Sequence, residues 1–288
     1  MRPSLRRACP AKVNLFLKVV GRRSDGYHDL VTVMQPLSLA DELTLTLTSG
    51  EISLECNNPE LPLDGRNLAV KAARAFLTEA PQDFGVHIRL IKNIPLAAGL
   101  GGGSSDAAGV LLGLNDLTGH PLTAAALHRL ASGLGADVPF FLLAGPAVGR
   151  GIGDQLTPLR LPPFWYVLIN PGYPVSTAWV YGNLKLDLVE GLGDNITGTI
   201  FSQPPGTWLH NDLELVTLAR HPDLALRKEL LQQSGALATL MSGSGPTIFG
   251  IFASFAEAQG AAQKLRSSYQ EWIMVTQGIP DDHTVFDL

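Results

Sequence analysis

Four glycines fall within five positions in Pro95-Leu96-Ala97-Ala98-Gly99-Leu100-Gly101-Gly102-Gly103-Ser104-Ser105-Asp106. An alternating apolar run, Val86 to Ile91, ends just before this stretch, and a helix-like run through Ala107, Ala108, Val110, Leu111 and Leu114 follows it. A glycine-rich turn therefore opens directly into a helix. The first turn of a helix carries N–H groups without partners and a partial positive charge. Residues without Cβ let a ligand approach the backbone closely. Ser104 or Ser105 can cap the helix and can also donate to an oxygen. The combination suits a phosphate group. The plainer reading is a tight turn with a serine cap, and the glycine density favours the anion.

The type of phosphate site narrows by elimination. A Walker A loop needs Gly-Lys followed by Ser or Thr, and the chain has no Gly-Lys pair. The dinucleotide pattern G-x-G-x-x-G fails at Ser104. Asp83-Phe84-Gly85 spells a protein-kinase tripeptide, but neither the H-R-D loop nor the V-A-I-K strand accompanies it. The seven histidines show no metal-binding spacing, and two cysteines, Cys9 and Cys56, make neither a disulfide framework nor a metal cluster.

Other candidate groups lie along the chain. In Ala11 to Val20, Ala11, Val13, Leu15, Leu17 and Val19 are expected on one strand face, with Lys12 and Asn14 together on the other. That second face is either solvated or a site. Tyr27-His28 follows a polar turn, Gly21 to Gly26. Asp137, in Gly135-Ala136-Asp137-Val138-Pro139, is a lone carboxylate among small and apolar residues. It either caps a helix or stands in a dry cleft.

Several elements must position these residues. Strands are expected at 30–39, 41–48, 86–91, 164–169, 237–240, 248–252 and 272–276. Helices are expected at 67–77 with Asn67 as cap, and at 105–117, 123–133, 212–218, 223–231 and 256–266. The succession predicts an α+β protein with two domains, 1–155 and 156–288. Net charge of −5 argues against a nucleic-acid binder or a basic membrane patch. The uncharged runs 161–184 and 230–256 are broken by prolines, glycines and glutamines and read as core strands and loops. The basic start, Met1 to Arg7, lacks a signal-peptide core behind it, so a cytoplasmic setting is expected.

Taken together these motifs resemble the GHMP kinase superfamily, which includes galactokinase, homoserine, mevalonate and phosphomevalonate kinases. The glycine stretch is similar to its phosphate-binding motif, and Leu240-Met241-Ser242-Gly243-Ser244-Gly245-Pro246 to its C-terminal glycine motif. Pro10 to Leu17, Arg22, Asp25-Gly26-Tyr27-His28, Gly135 to Pro139 and Asn211-Asp212-Leu213-Glu214 narrow the resemblance. They point to the branch that phosphorylates a cytidine diphosphate sugar alcohol in non-mevalonate isoprenoid synthesis.

The resemblance implies an N-terminal domain like ribosomal protein S5 domain 2, a ferredoxin-like C-terminal domain, and a site between them. It implies Lys12 and Asp137 as catalytic residues acting on a 2-hydroxyl. It also implies ATP on Pro95, Leu96, Ala97, Ala98, Gly99, Leu100, Gly101, Gly102, Gly103, Ser104 and Ser105, with Mg²⁺ held mainly by the phosphates. For the acceptor it implies Asn14, Tyr27, His28, Thr177, Tyr181, Gly243 and Gly245, with no metal held by the protein. Small-molecule partners and a monomer or weak homodimer are expected. The alternatives are another family kinase such as one for homoserine, a related decarboxylase, or a nucleotide-binding module without chemistry.

Overall fold

The computed structural model describes residues 3–80, 83–143, 145–185 and 201–280. The alternating stretches near the start are parts of two long strands, β1 (Ser4–Arg22) and β2 (His28–Thr48), paired antiparallel along their length. β3 (Ser53–Cys56) and β4 (Gly85–Ile91) extend the sheet beyond β2, and β5 (Ala147–Arg150) and β6 (Gln155–Pro158) form a hairpin that joins it through β5. Helices α1 (Leu68–Glu79), α2 (Gly102–Leu117) and α3 (Ala124–Leu134) cover one face. Asn67 caps α1 by accepting from Ala69 N at 2.9 Å, and Thr123 caps α3 by accepting from Ala126 N at 3.2 Å.

The second sheet holds β7 (Trp165–Asn170), β9 (Ala238–Met241), β10 (Ile248–Phe252) and β11 (Trp272–Gln277). Helices α4 (Thr177–Asn183), α5 (Glu214–Arg220) and α6 (Asp223–Gln233) lie between β7 and β9 in sequence, and α7 (Phe255–Ser268) lies between β10 and β11. All three pairings in the sheet are antiparallel and its order is β11-β7-β10-β9. A strand–helix–strand–strand–helix–strand chain in that order is the ferredoxin-like arrangement. The protein is α+β.

Strand patterning explains how the sheets stack. Tyr166, Leu168, Phe249 and Ile251 face the first sheet, where they meet Ala11, Val13, Leu15 and Leu37. Their alternates, Val167, Ile169, Ile248 and Phe252, face α6 and α7. Both faces are apolar because both are covered. The layers therefore run helix, sheet, sheet, helix.

Three expectations change or are resolved. Register shifts between Asn14 and Phe16 and between Val19 and Gly21 bend β1. Ala11, Val13 and Leu15 stay between the sheets, but Leu17 and Val19 turn toward the core of the second unit. A bulge adds a residue and re-aims the side chains after it, which strict alternation does not register. Second, the face carrying Lys12 and Asn14 is not solvated, since each residue is 3 % exposed. Third, β6 pairs within the first sheet, so the change of sheet falls at 159–164 rather than at 155. The chain then returns: β8 (His210–Asn211) adds to the first sheet beside β1, in parallel at Phe16 and Leu17. The last eight residues of the expected second domain lie outside the described residues.

Candidate active site

The turn before α2 is shaped by backbone rather than side chains. Gly99 and Gly101 have φ of +76° and +73°, and Ala97 also has positive φ at 49°. A left-handed alanine is uncommon and carries strain, which tends to collect at functional turns. Gly101 is the N-cap residue of α2 and no side chain caps the helix. The serine cap expected from sequence is therefore absent, and the two serines lie inside the first turns. At Gly101 a Cβ would stand 2.8 Å from the Phe141 ring and 3.1 Å from Lys12 Cγ. Only glycine fits there, and the N–H groups of the first turn are left facing outward.

Lys12 crosses this turn. Its backbone N–H donates to Leu100 O at 2.9 Å, which locks β1 to the glycine stretch. Its buried Nζ donates to Asn14 Oδ1 and lies 3.4 Å from Asp137 Oδ2. Asn14 Nδ2 donates to Thr32 Oγ1 at 2.9 Å, and that hydroxyl donates to Phe16 O at 2.8 Å. Lys12, Asn14 and Thr32 thus form a relay with few free rotamers, ending on the carboxylate. The Asp137 side chain is 39 % exposed. It precedes the short 3-10 helix Pro139–Leu142, whose cap position is Val138, so it is not acting as a helix cap.

The C-terminal glycine turn closes the other side. Ser242 Oγ donates to Gly99 O at 2.9 Å and accepts from Asn14 N at 3.3 Å. Thr247 N donates to Ala98 O at 3.3 Å. A Cβ on Gly243 would lie 3.2 Å from Asn14 Oδ1 and 3.5 Å from Lys12 Nζ. Asn211 Nδ2 donates to both Met241 O and Gly243 O at 2.8 Å, so β8 holds this turn in place. Thr177 Oγ1 and Ser244 Oγ share a hydrogen bond of 2.8 Å.

These groups line one cavity of about 970 Å³ between the two sheets' loops. Its wall includes Lys12, Asn14 and Asp137, then Pro95, Leu96, Ala97, Ala98, Gly99, Gly101, Gly102, Gly103 and Ser104. The wall also includes Tyr27, His28, Thr177, Tyr181 and Gly243, the last beside Asn14 and Lys12. Leu100, Ser105 and Gly245 do not line it. Leu100 and Ser105 are buried, and the Gly245 backbone packs toward Met241 and Thr217. The His28 and Tyr181 rings stack on each other at 5.2 Å and 28°, while Tyr27 stands exposed nearby. Burial, and then the Arg22 charge, hold His28 below the usual histidine value, so its ring is neutral at neutral pH. Burial, then the carboxylates Asp137 and Asp212, push the Tyr181 phenol up. It remains a neutral donor.

Sequence reasoning had no role for Thr32, Ser242, Lys92 or Asn211. Ser242 and Asn211 stood in recognised motifs, but their contacts are made across the fold. Thr32 carried no local signal. Among the described residues, no group of three or more His, Cys, Asp and Glu could hold a metal ion. No helix among them is long and apolar enough to cross a membrane.

Residues 67–145 match the model of the GHMP kinases N terminal domain, and residues 202–271 that of the GHMP kinases C terminal. A 4-diphosphocytidyl-2-C-methyl-D-erythritol kinase of Geobacter metallireducens is 49% identical over 277 residues, covering 94% of this chain and 97% of that protein. A crystal structure of 4-(cytidine 5'-diphospho)-2C-methyl-D-erythritol kinase superposes with a TM-score of 0.81 at 40% identity, covering 95% of this chain and 99% of that one. A homoserine kinase structure from Cytophaga hutchinsonii shares the fold, with a TM-score of 0.69 at 20% identity over 97% of this chain and 96% of that one. Two matched domains, near-full-length relatives and a shared architecture lead to one conclusion: the chain belongs to the GHMP kinases, alongside the 4-diphosphocytidyl-2-C-methyl-D-erythritol kinases.

Proposed function

We propose that this chain transfers the γ-phosphoryl group of ATP to the 2-hydroxyl of 4-diphosphocytidyl-2-C-methyl-D-erythritol, in non-mevalonate isoprenoid synthesis. The observation that carries the reading is one cavity joining a side-chain-free cradle, a buried lysine against a carboxylate, and an aromatic end. Phosphoryl transfer asks a protein mainly for alignment and charge stabilisation. The N–H groups around Gly101 to Ser104 hold a triphosphate tail. The fit rests on glycine positions that a Cβ would fill. Mg²⁺, when bound, neutralises charge on the phosphates and is carried by them rather than by a cluster of protein acids.

Lys12 sits where the cradle meets Asp137. Its ammonium offsets the negative charge that builds on the transferring group. Asp137 accepts a hydrogen bond from the acceptor hydroxyl and aims its oxygen. Phosphoryl transfer depends mainly on alignment, so orienting the hydroxyl is the principal role of Asp137. Asn14 fixes Lys12 through Oδ1 and has one N–H left for the acceptor's hydroxyls.

Tyr27 offers an exposed face on which the cytosine stacks, and neutral His28 reads its edge. Tyr181, one face against His28, walls the base site. Thr177 and Gly243 border the chain between base and hydroxyl. The same reading puts the enzyme in the cytoplasm as a monomer or weak homodimer. Product formation with this acceptor, against homoserine and mevalonate under the same conditions, tests the reading. Turnover of the cytidine diphosphate acceptor at least about 10²-fold above either alternative is expected. Equal or better turnover of an alternative overturns it.

A further inference from the structure

Beneath the glycine cradle lies a buried cluster that has no part in the transfer step above, although its lysine, Lys92, borders the same cavity. Lys92 Nζ donates to Asp106 Oδ2 at 2.6 Å and to Asp41 Oδ2, and all three side chains are almost completely buried. Lys92 stands just before the glycine stretch, Asp106 in the helix just after it, and Asp41 on β2. Asp41 Oδ1 also accepts from Asn93 N at 2.6 Å and Ile94 N at 2.9 Å, so the cluster ties both ends of the turn to the sheet. A Cβ on Gly102 would lie 3.3 Å from Asp41 Oδ2, so the cradle rests directly on this carboxylate.

The charge count is one cation to two carboxylates. If both acids ionise, a net negative charge sits in a dry interior under the place where a polyanion binds, and low dielectric makes that repulsion strong. One proton on Asp106 makes the cluster neutral. Asp106 Oδ1 has no hydrogen-bond partner, which a fully ionised buried carboxylate tolerates poorly. Burial pushes Asp106 up to about 7; Lys92 pulls it down and Asp41 adds to the rise. Cys9 on β1 also faces the cluster, and Arg7 on the same strand acts on Cys9. Burial first, then Asp106 and Asp41, hold the Cys9 thiol neutral, and Arg7 is paired with Asp116 at 2.5 Å.

We propose that Lys92, Asp41 and Asp106 form the proton-balanced floor of the phosphate cradle, and that binding a triphosphate draws one solvent proton onto Asp106. The inference rests on reading the glycine turn as the triphosphate site. Only an O–H bond forms, and the proton returns to solvent when the nucleotide leaves. Lys92 and Asp106 are positioning residues on this account.

The test is calorimetric binding of a non-hydrolysable ATP analogue to the full chain and to Asp106→Asn at about pH 6.5 and 8.5. The analogue's own ionisation is common to both proteins, so the ratio of their Kd values isolates Asp106. The ratio of wild-type to variant Kd is expected to rise by about threefold or more between the two values. A smaller rise overturns the proton floor while leaving the triphosphate reading intact, and no binding by the folded wild-type chain overturns the triphosphate reading itself. If the variant does not fold, wild-type binding at about pH 7.5 in two buffers of different ionisation heat decides. Net proton uptake supports the inference, and none, or release, refutes it.

Discussion

Gly99→Ala would strike the point where the two glycine turns meet. Gly99 has φ of +76°, and its added Cβ would fall 2.2 Å from Ser242 O and 3.1 Å from Gly245 O. Both obstacles are backbone, so neither can rotate away. The left-handed conformation alone costs an alanine ~1–2 kcal/mol. Relieving the overlap requires the turns to separate by about 1 Å, the scale of misplacement that costs a catalyst roughly 10²-fold. The move would also loosen the Ser242 Oγ bond to Gly99 O, through which Asn14 and hence Lys12 are set. We expect kcat/KM for ATP to fall about 10²-fold or more. Gly260→Ala, with nothing within 4 Å of its Cβ on α7, is the matched control. It should keep full activity and gain ~0.5–1 kcal/mol of stability. Steady-state kinetics at varied ATP, with thermal unfolding of both variants, reads the effect. A Gly99→Ala enzyme that folds and turns over within threefold of wild type would refute the claim that these turns must touch.

Tyr27→Ala removes the face on which the cytosine stacks, so acceptor KM should rise by the equivalent of one base-stacking contact, ~1–3 kcal/mol; KM for ATP, measured alongside, should not move. Asn14→Ala frees the Lys12 ammonium from its Oδ1 partner, and kcat should fall at least tenfold, the size of a lost charge-assisted hydrogen bond. Acceptor KM should stay flat from neutral to alkaline pH and climb as acid charges His28, whose titration lies below 6.5. His28→Gln should remove that acid limb. Stability should also depend on pH through Asp106. Its folded pKa is raised from 3.8 to about 7, so the folded state binds more protons than the unfolded state in that window. Stability therefore falls as pH rises from about 4 to 7, and denaturant melts of Asp106→Asn should show a flatter profile.

Elements with strong local pattern were legible in the sequence. Asn67 announced its helix because a capping side chain acts on its own chain two or three residues on; Thr123, read as the first residue of the next helix, caps it in the same way. The short continuous apolar runs at 164–169 and 248–252 marked strands, as expected where both faces of a sheet are covered. The glycine stretch declared its backbone demands by composition. What stayed hidden depends on distant partners. β8 is two residues long and exists only because β1 offers it an edge. β3 and the β5–β6 hairpin carry too few residues to show a period. The bulge after Asn14 inverted the facing of Leu17 and Val19 without any local mark. Lys92 carried no local signal, because its two carboxylates come from 51 residues before and 14 after it.

The central claim is that Lys12 and Asp137, held 3.4 Å apart beside the glycine turn, carry out the transfer. The most direct measurement is single-turnover phosphorylation of 4-diphosphocytidyl-2-C-methyl-D-erythritol by wild type, Lys12→Ala and Asp137→Asn, followed by phosphorus NMR with ATP saturating. The account predicts that each variant still folds and binds ATP while transfer slows at least ~10²-fold. Transfer near the wild-type rate in both variants would contradict it.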